Sequence, residues 1–344
     1  MLTDGRGKVK KTRHLRDNPP SACDRIPLSI TKVAGERMAS RARKAAVKGA
    51  LRVALAQLEP VLGNLPENVD RHLDLARQAV GKGADLLIFP ELSLTGYLLQ
   101  DLVSEVAVRL ERPGPLKGLL AMSRRLPMVV GLVEETTGHR YHNSALFLEG
   151  GRVRHAHRKV YLPTYGMFDE GRYFAAGDRV EAFTSPLGRI GLLICEDFWH
   201  PANALVLAQD GADYLIVISN SPTEGIDATR GLRSLTTWHD LVKVTAQLQT
   251  QFVLWVNRVG FEDGINFAGG SCVVDPFGET LALGRTIAED LILCDLPRSA
   301  LRRARTLYPL LRDERLPVLS REVQRIMALP SAPASPRRRR RPGS

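Results

Sequence analysis

Between residues 51 and 297, apolar runs of strand length alternate with stretches whose apolar residues recur at helical spacing. Residues 52–58 (RVALAQL) predict a strand, residues 68–85 an amphipathic helix, and residues 85–91 (DLLIFPE) a short buried strand. A helical region is expected to continue to about residue 126. Three successive strands are then predicted in PMVVGLVEE, NSALFLE and RVRHAHRKVY.

The second half of this region repeats the same order of elements. A strand at 189–197 leads into a helix at about 201–210, and a strand at 213–220 into a long helix at about 228–250. Strands follow in FVLWVNRVG, GGSCVVDPFGETLAL and EDLILCDL, with DPFG as a hairpin turn. The repeated order predicts an α/β domain with internal pseudo-symmetry. Helices would cover one face of each of two sheets, and the sheets would pack on each other.

Charge separates the two ends of the chain from its centre. The 344 residues carry a formal net charge of +11, but residues 1–50 hold 13 Lys+Arg against 4 Asp+Glu. Residues 331–344 hold five arginines and no acid, which leaves residues 51–330 mildly acidic, with a net charge of −3. The basic character, which alone suggests nucleic-acid binding, therefore belongs to the two tails and not to the predicted domain.

Composition also sets the expected domain boundaries. Residues 1–50 show no sustained apolar period and predict a basic, disordered extension, in which Met38 is a candidate for the true start. Residues 51–297 form the predicted domain. Residues 298–330 are expected to pack on that domain or on an oligomer partner. Residues 331–344, rich in Pro, Ser and Arg, predict a disordered tail.

The cysteines and the N-terminus indicate a reducing, cytoplasmic setting. Four cysteines occur without any CxxC pair, so the sequence signals neither a zinc site nor a disulfide framework. Cys272 and Cys294 lie in apolar strand runs and are expected in the core. No apolar run reaches membrane-spanning length, and the N-terminus lacks the apolar stretch of a secretory signal. His155 and His157 would face one side of a strand, as a packed or exposed pair more readily than a metal site.

Three chemically capable residues stand at the ends of three predicted strands. Glu91 follows LLIFP, Lys159 follows RVRHAHR, and Cys195 follows GRIGLLI. Taken singly, each has a plain structural interpretation: a solvated loop carboxylate, a surface lysine on a basic strand and an inert buried thiol. Together they place a base, a cation and a nucleophile where α/β sheets bind ligands, and these are the parts that acyl transfer through a thioester needs.

Longer motifs around these residues resemble the nitrilase, or carbon–nitrogen hydrolase, superfamily. FPELSLTGY (89–97), HRKVYLPTYGMFDEGRYFAAGD (157–178) and IGLLICEDFWHP (190–201) occur in the family's order, and VNRVGFEDGINFAGGSCVVDPFG follows at its expected place. The resemblance covers roughly residues 51–297. It implies a four-layer αββα sandwich and a catalytic triad of Glu91, Lys159 and Cys195, with Glu170 as an additional acidic residue near the substrate.

Within the superfamily, ELSLTGY, LPTYGMFDEGRYF and CEDFW look most like the glutaminase domain of glutamine-dependent NAD synthetases. By that resemblance, the amide pocket would be lined by Tyr97, Tyr165, Glu196 and the SNSP segment with Ser219 and Ser221. No SGGxDS-like ATP-binding loop occurs in the sequence, so the ammonia released is expected to serve a separate synthetase.

The resemblance predicts a thiol amidohydrolase that cleaves a small primary amide, with glutamine as the leading substrate and without a cofactor or metal. Alternatives within the superfamily are hydrolysis of N-carbamoyl compounds, ω-amides or aliphatic amides. An alternative of another class is a non-catalytic binding protein that uses its basic tails for non-specific contact with nucleic acid. A homo-oligomer is expected by resemblance, and no membrane contact is expected.

Overall fold

The computed structural model describes residues 49–227 and 231–329. In chain order, the strands of these residues are β1 (Ala50–Gln57), β2 (Leu86–Ile88), β3 (Met128–Glu135), β4 (Tyr141–Glu149), β5 (Arg152–Arg158), β6 (Phe183–Ser185), β7 (Gly188–Ile194), β8 (Tyr214–Ser219), β9 (Ile226–Asp227), β10 (Gly231–Leu232), β11 (Phe252–Asn257), β12 (Val259–Glu262), β13 (Ile265–Ala268), β14 (Cys272–Val274), β15 (Thr280–Leu283) and β16 (Asp290–Pro297). The α-helices are α1 (Leu65–Gly81), α2 (Val103–Val106), α3 (Lys117–Met122), α4 (Glu170–Tyr173), α5 (Pro201–Gln209), α6 (Arg233–Gln249), α7 (Ser299–Leu307), α8 (Leu310–Asp313) and α9 (Leu316–Met327).

Two six-stranded sheets carry the same topology, which confirms the predicted pseudo-symmetry. The first has the order β16-β1-β2-β3-β4-β5 and the second the order β15-β14-β11-β8-β7-β6. In each sheet, two parallel pairings (β1–β2–β3 and β7–β8–β11) are followed by two antiparallel ones. An extra antiparallel strand pairs with the first strand of each set, β16 with β1 and β6 with β7.

The sheets pack face to face and helices cover their outer faces, which confirms the four-layer αββα sandwich. One apolar cluster joins the inner faces, with Leu55 and Phe147 from the first sheet and Leu192 and Ile216 from the second. A second cluster joins the outer face of the first sheet to α1 and α3. The outer face of the second sheet is covered by α5 and α6. Burial of these apolar faces is the main force that holds the layers together.

The predicted helices differ from the observed ones in two places. Helix α1 begins at Leu65, three residues before the predicted start, because Asn64 caps it by accepting a hydrogen bond from the Glu67 amide. The continuous helical region expected up to residue 126 was wrong. The chain there forms two 3₁₀ turns, Gln100–Leu102 and Gly114–Leu116, beside the short helices α2 and α3. Pro113 and Pro115 lack the amide hydrogens that a longer helix needs.

The C-terminal part of the described chain differs in burial between its helices. Helix α7 packs on the sandwich through Ala300, Leu301 and Ala304, whereas α9 buries no residue. Its exposed apolar side chains are Leu316, Leu319, Val323, Ile326 and Met327. The basic extension and the Arg-rich tail lie outside the described residues, and the expected homo-oligomer stays a prediction. In the parts of the chain that the structure describes, no helix is both long and apolar enough to cross a bilayer.

Candidate active site

Glu91 lies in the turn that follows β2, and its carboxylate is completely buried. A glycine in the neighbouring strand makes this position possible. A Cβ atom on Gly131 of β3 would lie 2.4 Å from the Leu92 nitrogen and 2.6 Å from the Pro90 oxygen, both of them backbone atoms. The glycine in the apolar run MVVGLVEE therefore lets the Glu91 turn lie directly against the sheet.

Lys159 follows β5 and places its ammonium group beside two carboxylates. Its Nζ atom lies 2.9 Å from Glu91 Oε1 and 2.7 Å from Glu170 Oε1, and the side chain is 1% exposed. Burial opposes the charge on this lysine, but Glu170 and Glu91 outweigh that effect and raise the pKa of Lys159 well above its ordinary value. The site thus holds a permanent, desolvated cation at neutral pH.

Cys195 follows β7 in a strained turn. Its backbone φ is +45°, in the left-handed region that side chains other than glycine seldom adopt, and it begins the 3₁₀ turn Cys195–Trp199. Burial raises the pKa of the Cys195 thiol well above its ordinary value, and the charge of Glu91 adds to this while Lys159 opposes it. At neutral pH the thiol therefore keeps its proton and needs a base before it can attack.

Glu170, the first residue of α4, completes the buried charge cluster. Its Oε1 atom accepts hydrogen bonds from Lys159 Nζ at 2.7 Å and from the Tyr97 hydroxyl at 2.7 Å. Burial raises the pKa of Glu170, although Lys159 favours the ionised form. Burial and the charge of Glu170 also raise the pKa of Tyr97, so its hydroxyl remains a donor. Glu170 thus links the Tyr97 hydroxyl to the Lys159 ammonium group.

A cavity of about 310 Å³ opens at Cys195. Its lining comprises Tyr165, Phe168, Glu196, Trp199, Ser221, Pro222, Glu224, Arg233, Ser234, Thr237 and Trp238 together with Cys195. The Tyr165 hydroxyl donates to Glu196 Oε2 at 2.8 Å. Partial burial and this bond raise the pKa of Tyr165 to about 12. The cavity therefore combines aromatic walls with carboxylates of Glu196 and Glu224 and the guanidinium of Arg233.

The predicted pocket residues lie in different places in the structure. Tyr165, Glu196 and Ser221 line the cavity at Cys195, and Ser221 also accepts a hydrogen bond from Trp238 Nε1 at 2.7 Å. Ser219, the other serine predicted for the pocket, is completely buried. Ser219 is the last residue of β8 and its hydroxyl is used within the sheet, bonded to Asn257 and Trp255. Tyr97 lines a neighbouring cavity of about 220 Å³, which also contains Glu170 and Phe168.

Sequence reasoning missed two polar residues that organise the site, Asn143 and Asp197, and included Asn220 only as part of the SNSP segment. Asn143 of β4 donates from its side-chain Nδ2 to Glu91 Oε1 at 2.7 Å. The backbone N–H of Asn220 donates to Glu91 Oε2 at 2.7 Å. The fully buried Asp197 accepts from the amides of Val160, Tyr161 and Ile194. It thereby fastens the loop after Lys159 to the turn of Cys195. A polar residue inside the apolar run NSALFLE was the available signal for Asn143.

The two histidines of β5, together with Cys272 and Cys294, have structural contacts. His157 is buried and lies 2.8 Å from Asp197, while the His155 ring stacks on Phe183 at 4.3 Å between centroids. Cys272 and Cys294 lie in the core as predicted, and burial raises their pKa values to about 12 and about 11. Within residues 49–227 and 231–329, no group of three or more His, Cys, Asp or Glu side chains is arranged to hold a metal ion.

Comparison with known proteins gives a family match over most of the chain. Residues 52–306 match the family model "Carbon-nitrogen hydrolase". The chain belongs to the carbon–nitrogen hydrolase family. Structures similar to it include a carbon–nitrogen hydrolase from Helicobacter pylori, with a TM-score of 0.72 and 25% identity over 80% of this chain and 99% of the other. An amidase from Nesterenkonia sp. has a TM-score of 0.67 and 25% identity over 80% of this chain and 98% of the amidase.

Glutamine-dependent NAD(+) synthetases are also similar to this carbon–nitrogen hydrolase. The Thermotoga maritima enzyme is 32% identical over 249 residues, which are 72% of this chain and 42% of the relative. The Acinetobacter baylyi enzyme is 33% identical over 70% of this chain and 43% of the relative. The Acinetobacter baumannii structure has a TM-score of 0.65 and 31% identity, over 73% of this chain and 46% of that one. The chain thus spans less than half the length of these synthetases.

Proposed function

We propose that this carbon–nitrogen hydrolase is a thiol amidase that releases ammonia from a small primary amide through a thioester on Cys195, with glutamine as its substrate. The observation that carries the proposal is the buried Lys159 ammonium, 2.9 Å from Glu91, in the charge cluster behind the cysteine cavity. A cation at this depth has no role in apolar packing and is costly to bury unless it is paired. It is suited to stabilising negative charge that develops on a bound carbonyl.

In the first half of the reaction, Glu91 takes the proton of the Cys195 thiol as the sulfur attacks the amide carbonyl carbon. Lys159 and the backbone N–H after Cys195 stabilise the resulting oxyanion, each donor contributing about 2.7–4 kcal/mol. Glu91 then returns the proton to the amide nitrogen, the C–N bond breaks, and ammonia leaves behind a thioester. The raised pKa of the thiol supports this order, because a neutral thiol needs a general base.

In the second half, Glu91 takes a proton from water while the water oxygen attacks the thioester carbon. The C–S bond breaks, the thiolate recovers the proton from Glu91, and the carboxylic acid product leaves. Glu170 orients Lys159 throughout, since its carboxylate is 2.7 Å from Nζ. Every proton is exchanged between this chain's residues, the amide and water, so the proposed cycle uses no additional reactant.

Charges in the cavity favour glutamine over amides without charged groups. Glutamine carries an ammonium and a carboxylate beside its side-chain amide. The cavity offers the carboxylates of Glu196 and Glu224 for the first and the Arg233 guanidinium for the second. The similarity to glutamine-dependent NAD(+) synthetases supports the same choice. The similarity to an amidase supports the alternative, an aliphatic or ω-amide hydrolase.

The test is ammonia release from glutamine, asparagine, N-carbamoyl amino acids and acetamide by the purified chain. Glutamine should give the highest kcat/KM, and Cys195→Ala should abolish turnover. Cys272→Ala, which removes a buried thiol outside the site, should leave turnover unchanged. Full activity of Cys195→Ala would refute the mechanism, and preference for acetamide over glutamine would transfer the assignment to the alternative.

We also propose that the ammonia serves an ammonia-using NAD synthetase, since the similar synthetases are named as glutamine-dependent. When the chain is mixed with such an enzyme, glutamine should replace ammonium salts as the nitrogen source. Cys195→Ala should not support this exchange. Failure of the wild-type mixture, with glutamine hydrolysis intact, would exclude the coupling.

A further inference from the structure

Asn143 contacts both the general base and the chain segment that carries the cation. Its side chain is completely buried in β4, and Nδ2 donates to Glu91 Oε1 at 2.7 Å. Its backbone oxygen accepts the Lys159 amide at 2.9 Å. One residue of the sheet therefore fixes Glu91 and the backbone of Lys159 relative to each other.

The orientation of the Asn143 amide follows from the chemistry of its partner. An ionised carboxylate accepts hydrogen bonds and donates none, so the amide nitrogen must face Glu91. The opposite atom, Oδ1, is buried and has no hydrogen-bond partner in the described chain. An unpaired buried acceptor is unfavourable. The bond to Glu91 is thus the single side-chain hydrogen bond that Asn143 makes in the described chain, which points to a role at the base.

The donors around Glu91 are divided unequally between its two oxygens. Oε1 accepts from Asn143 Nδ2 at 2.7 Å and from Lys159 Nζ at 2.9 Å. Oε2 accepts from the Asn220 amide at 2.7 Å. A carboxylate oxygen has about two lone-pair directions. The two donors saturate Oε1, and Oε2 keeps one direction open.

We propose that Asn143 is a positioning residue that, with Lys159, occupies Glu91 Oε1 and so leaves Oε2 as the atom that accepts the Cys195 thiol proton. This inference rests on the proposed roles of Glu91 and Cys195. It goes beyond them by assigning the proton to one oxygen and by naming the side chain that makes the assignment.

The experiment measures alkylation of Cys195 by iodoacetamide as a function of pH in the full chain, with the modified peptide quantified by mass spectrometry. Alkylation needs the thiol and its base, and the mass of the carbamidomethyl adduct distinguishes it from attack at the amide carbonyl of the reagent. In Asn143→Ala, the acid limb of the rate profile should move to higher pH by about one unit, because the ionised base loses a donor. In the nearly isosteric Asn143→Asp the limb should move further, since a second carboxylate replaces the donor.

Asn68→Ala is the matched control. Asn68 is equally buried, but its side chain bonds to backbone atoms of Val61 and Leu94 and not to the Glu91 carboxylate. It should lower stability without moving the acid limb. Thermal unfolding of every variant shows that it is folded at the assay temperature.

The inference is overturned if the acid limbs of Asn143→Ala and Asn143→Asp coincide with that of the wild type. A uniform loss of rate at every pH, as expected of a purely structural residue, overturns it as well. If Asn143→Ala does not fold, the position of the acid limb in Asn143→Asp is the test of the inference. The chain could release no ammonia from any amide of the panel and still show the predicted shifts of the acid limb. That result would refute the proposed substrate and support the role of Asn143.

Discussion

Replacing Lys159 by methionine tests whether its ammonium compensates two buried carboxylates. Methionine keeps a long unbranched side chain and removes the charge. In the wild type, Nζ lies 2.9 Å from Glu91 and 2.7 Å from Glu170, and the side chains of all three residues are at most 4% exposed. In the variant the carboxylates face each other without a cation or solvent to compensate them.

The expected loss of stability is about 3–5 kcal/mol at pH 8, the range for breaking a buried ion pair on one side. A surface pair would lose about 0–1 kcal/mol. The sign of the pH dependence follows from the carboxyl groups. Burial raises the pKa of Glu170, so its ionised form destabilises the fold above that pKa. The pKa of Lys159 is raised above 10.5, so the wild-type lysine stays charged from pH 5 to 8 and its contribution is lost only in stronger alkali.

Urea unfolding, followed by the fluorescence of the buried Trp238 and Trp255, measures this loss at pH 8 and pH 5. The deficit of Lys159→Met should shrink at pH 5, because the raised pKa of Glu170 favours its neutral form as the pH falls. The double variant Lys159→Met/Glu170→Gln should recover part of the deficit at pH 8. Lys117→Met, at an exposed lysine, is the matched control. A deficit no larger than that of the control, or equal at both pH values, would refute the reasoning.

Three further changes test other parts of the site. Gly131→Ala should lower stability by about 1–3 kcal/mol and displace Glu91, because the added Cβ would lie 2.4 Å from a backbone atom. The control Gly138→Ala, whose Cβ would have open space, should change neither stability nor ammonia release. Glu91→Gln should slow alkylation of Cys195 at pH 7 by about 10²–10⁴-fold, and an unchanged rate would remove Glu91 as the base. Tyr165→Phe should raise KM for glutamine more than it lowers kcat, because the lost hydroxyl donates to Glu196 at 2.8 Å. An unchanged KM would contradict a role of Tyr165 in substrate binding.

The strand ends at Glu91 and Cys195 could be predicted from the sequence because each of these residues follows an apolar run. Glu91 and Cys195 come directly after residues that must be buried, so their position at a sheet edge follows from the pattern alone. The direction of a side chain at that edge does not follow from the pattern. Ser219 and Ser221 differ by two residues, yet Ser219 still belongs to β8 and bonds inside the sheet, whereas Ser221 has left it and lines the cavity.

Asn143 shows a second limit of the sequence. A polar residue in a strand is ordinarily expected to face solvent, and only the pairing of β3 with β4 brings Asn143 next to the Glu91 turn. The duplicated topology was predictable from element order, because each half repeats strand, helix and strand before its hairpins. The interruption of the helical region between residues 98 and 126 was not predicted. The apolar spacing there fits a helix, but Pro113 and Pro115 interrupt the hydrogen bonding that a helix needs.

The duplicated topology divides the proposed catalytic residues between two pieces of chain. The proposed base Glu91 and cation Lys159 belong to the half that ends near residue 178, and the proposed nucleophile Cys195 belongs to the half that follows. Residues 174–182 between them form no helix or strand. Strand β16 of the second half pairs with β1 of the first along all eight residues from Ala50 to Gln57. A chain cut within residues 174–182 should therefore yield two inactive fragments that recover activity on mixing. Ammonia release would then report directly on the association of the two fragments.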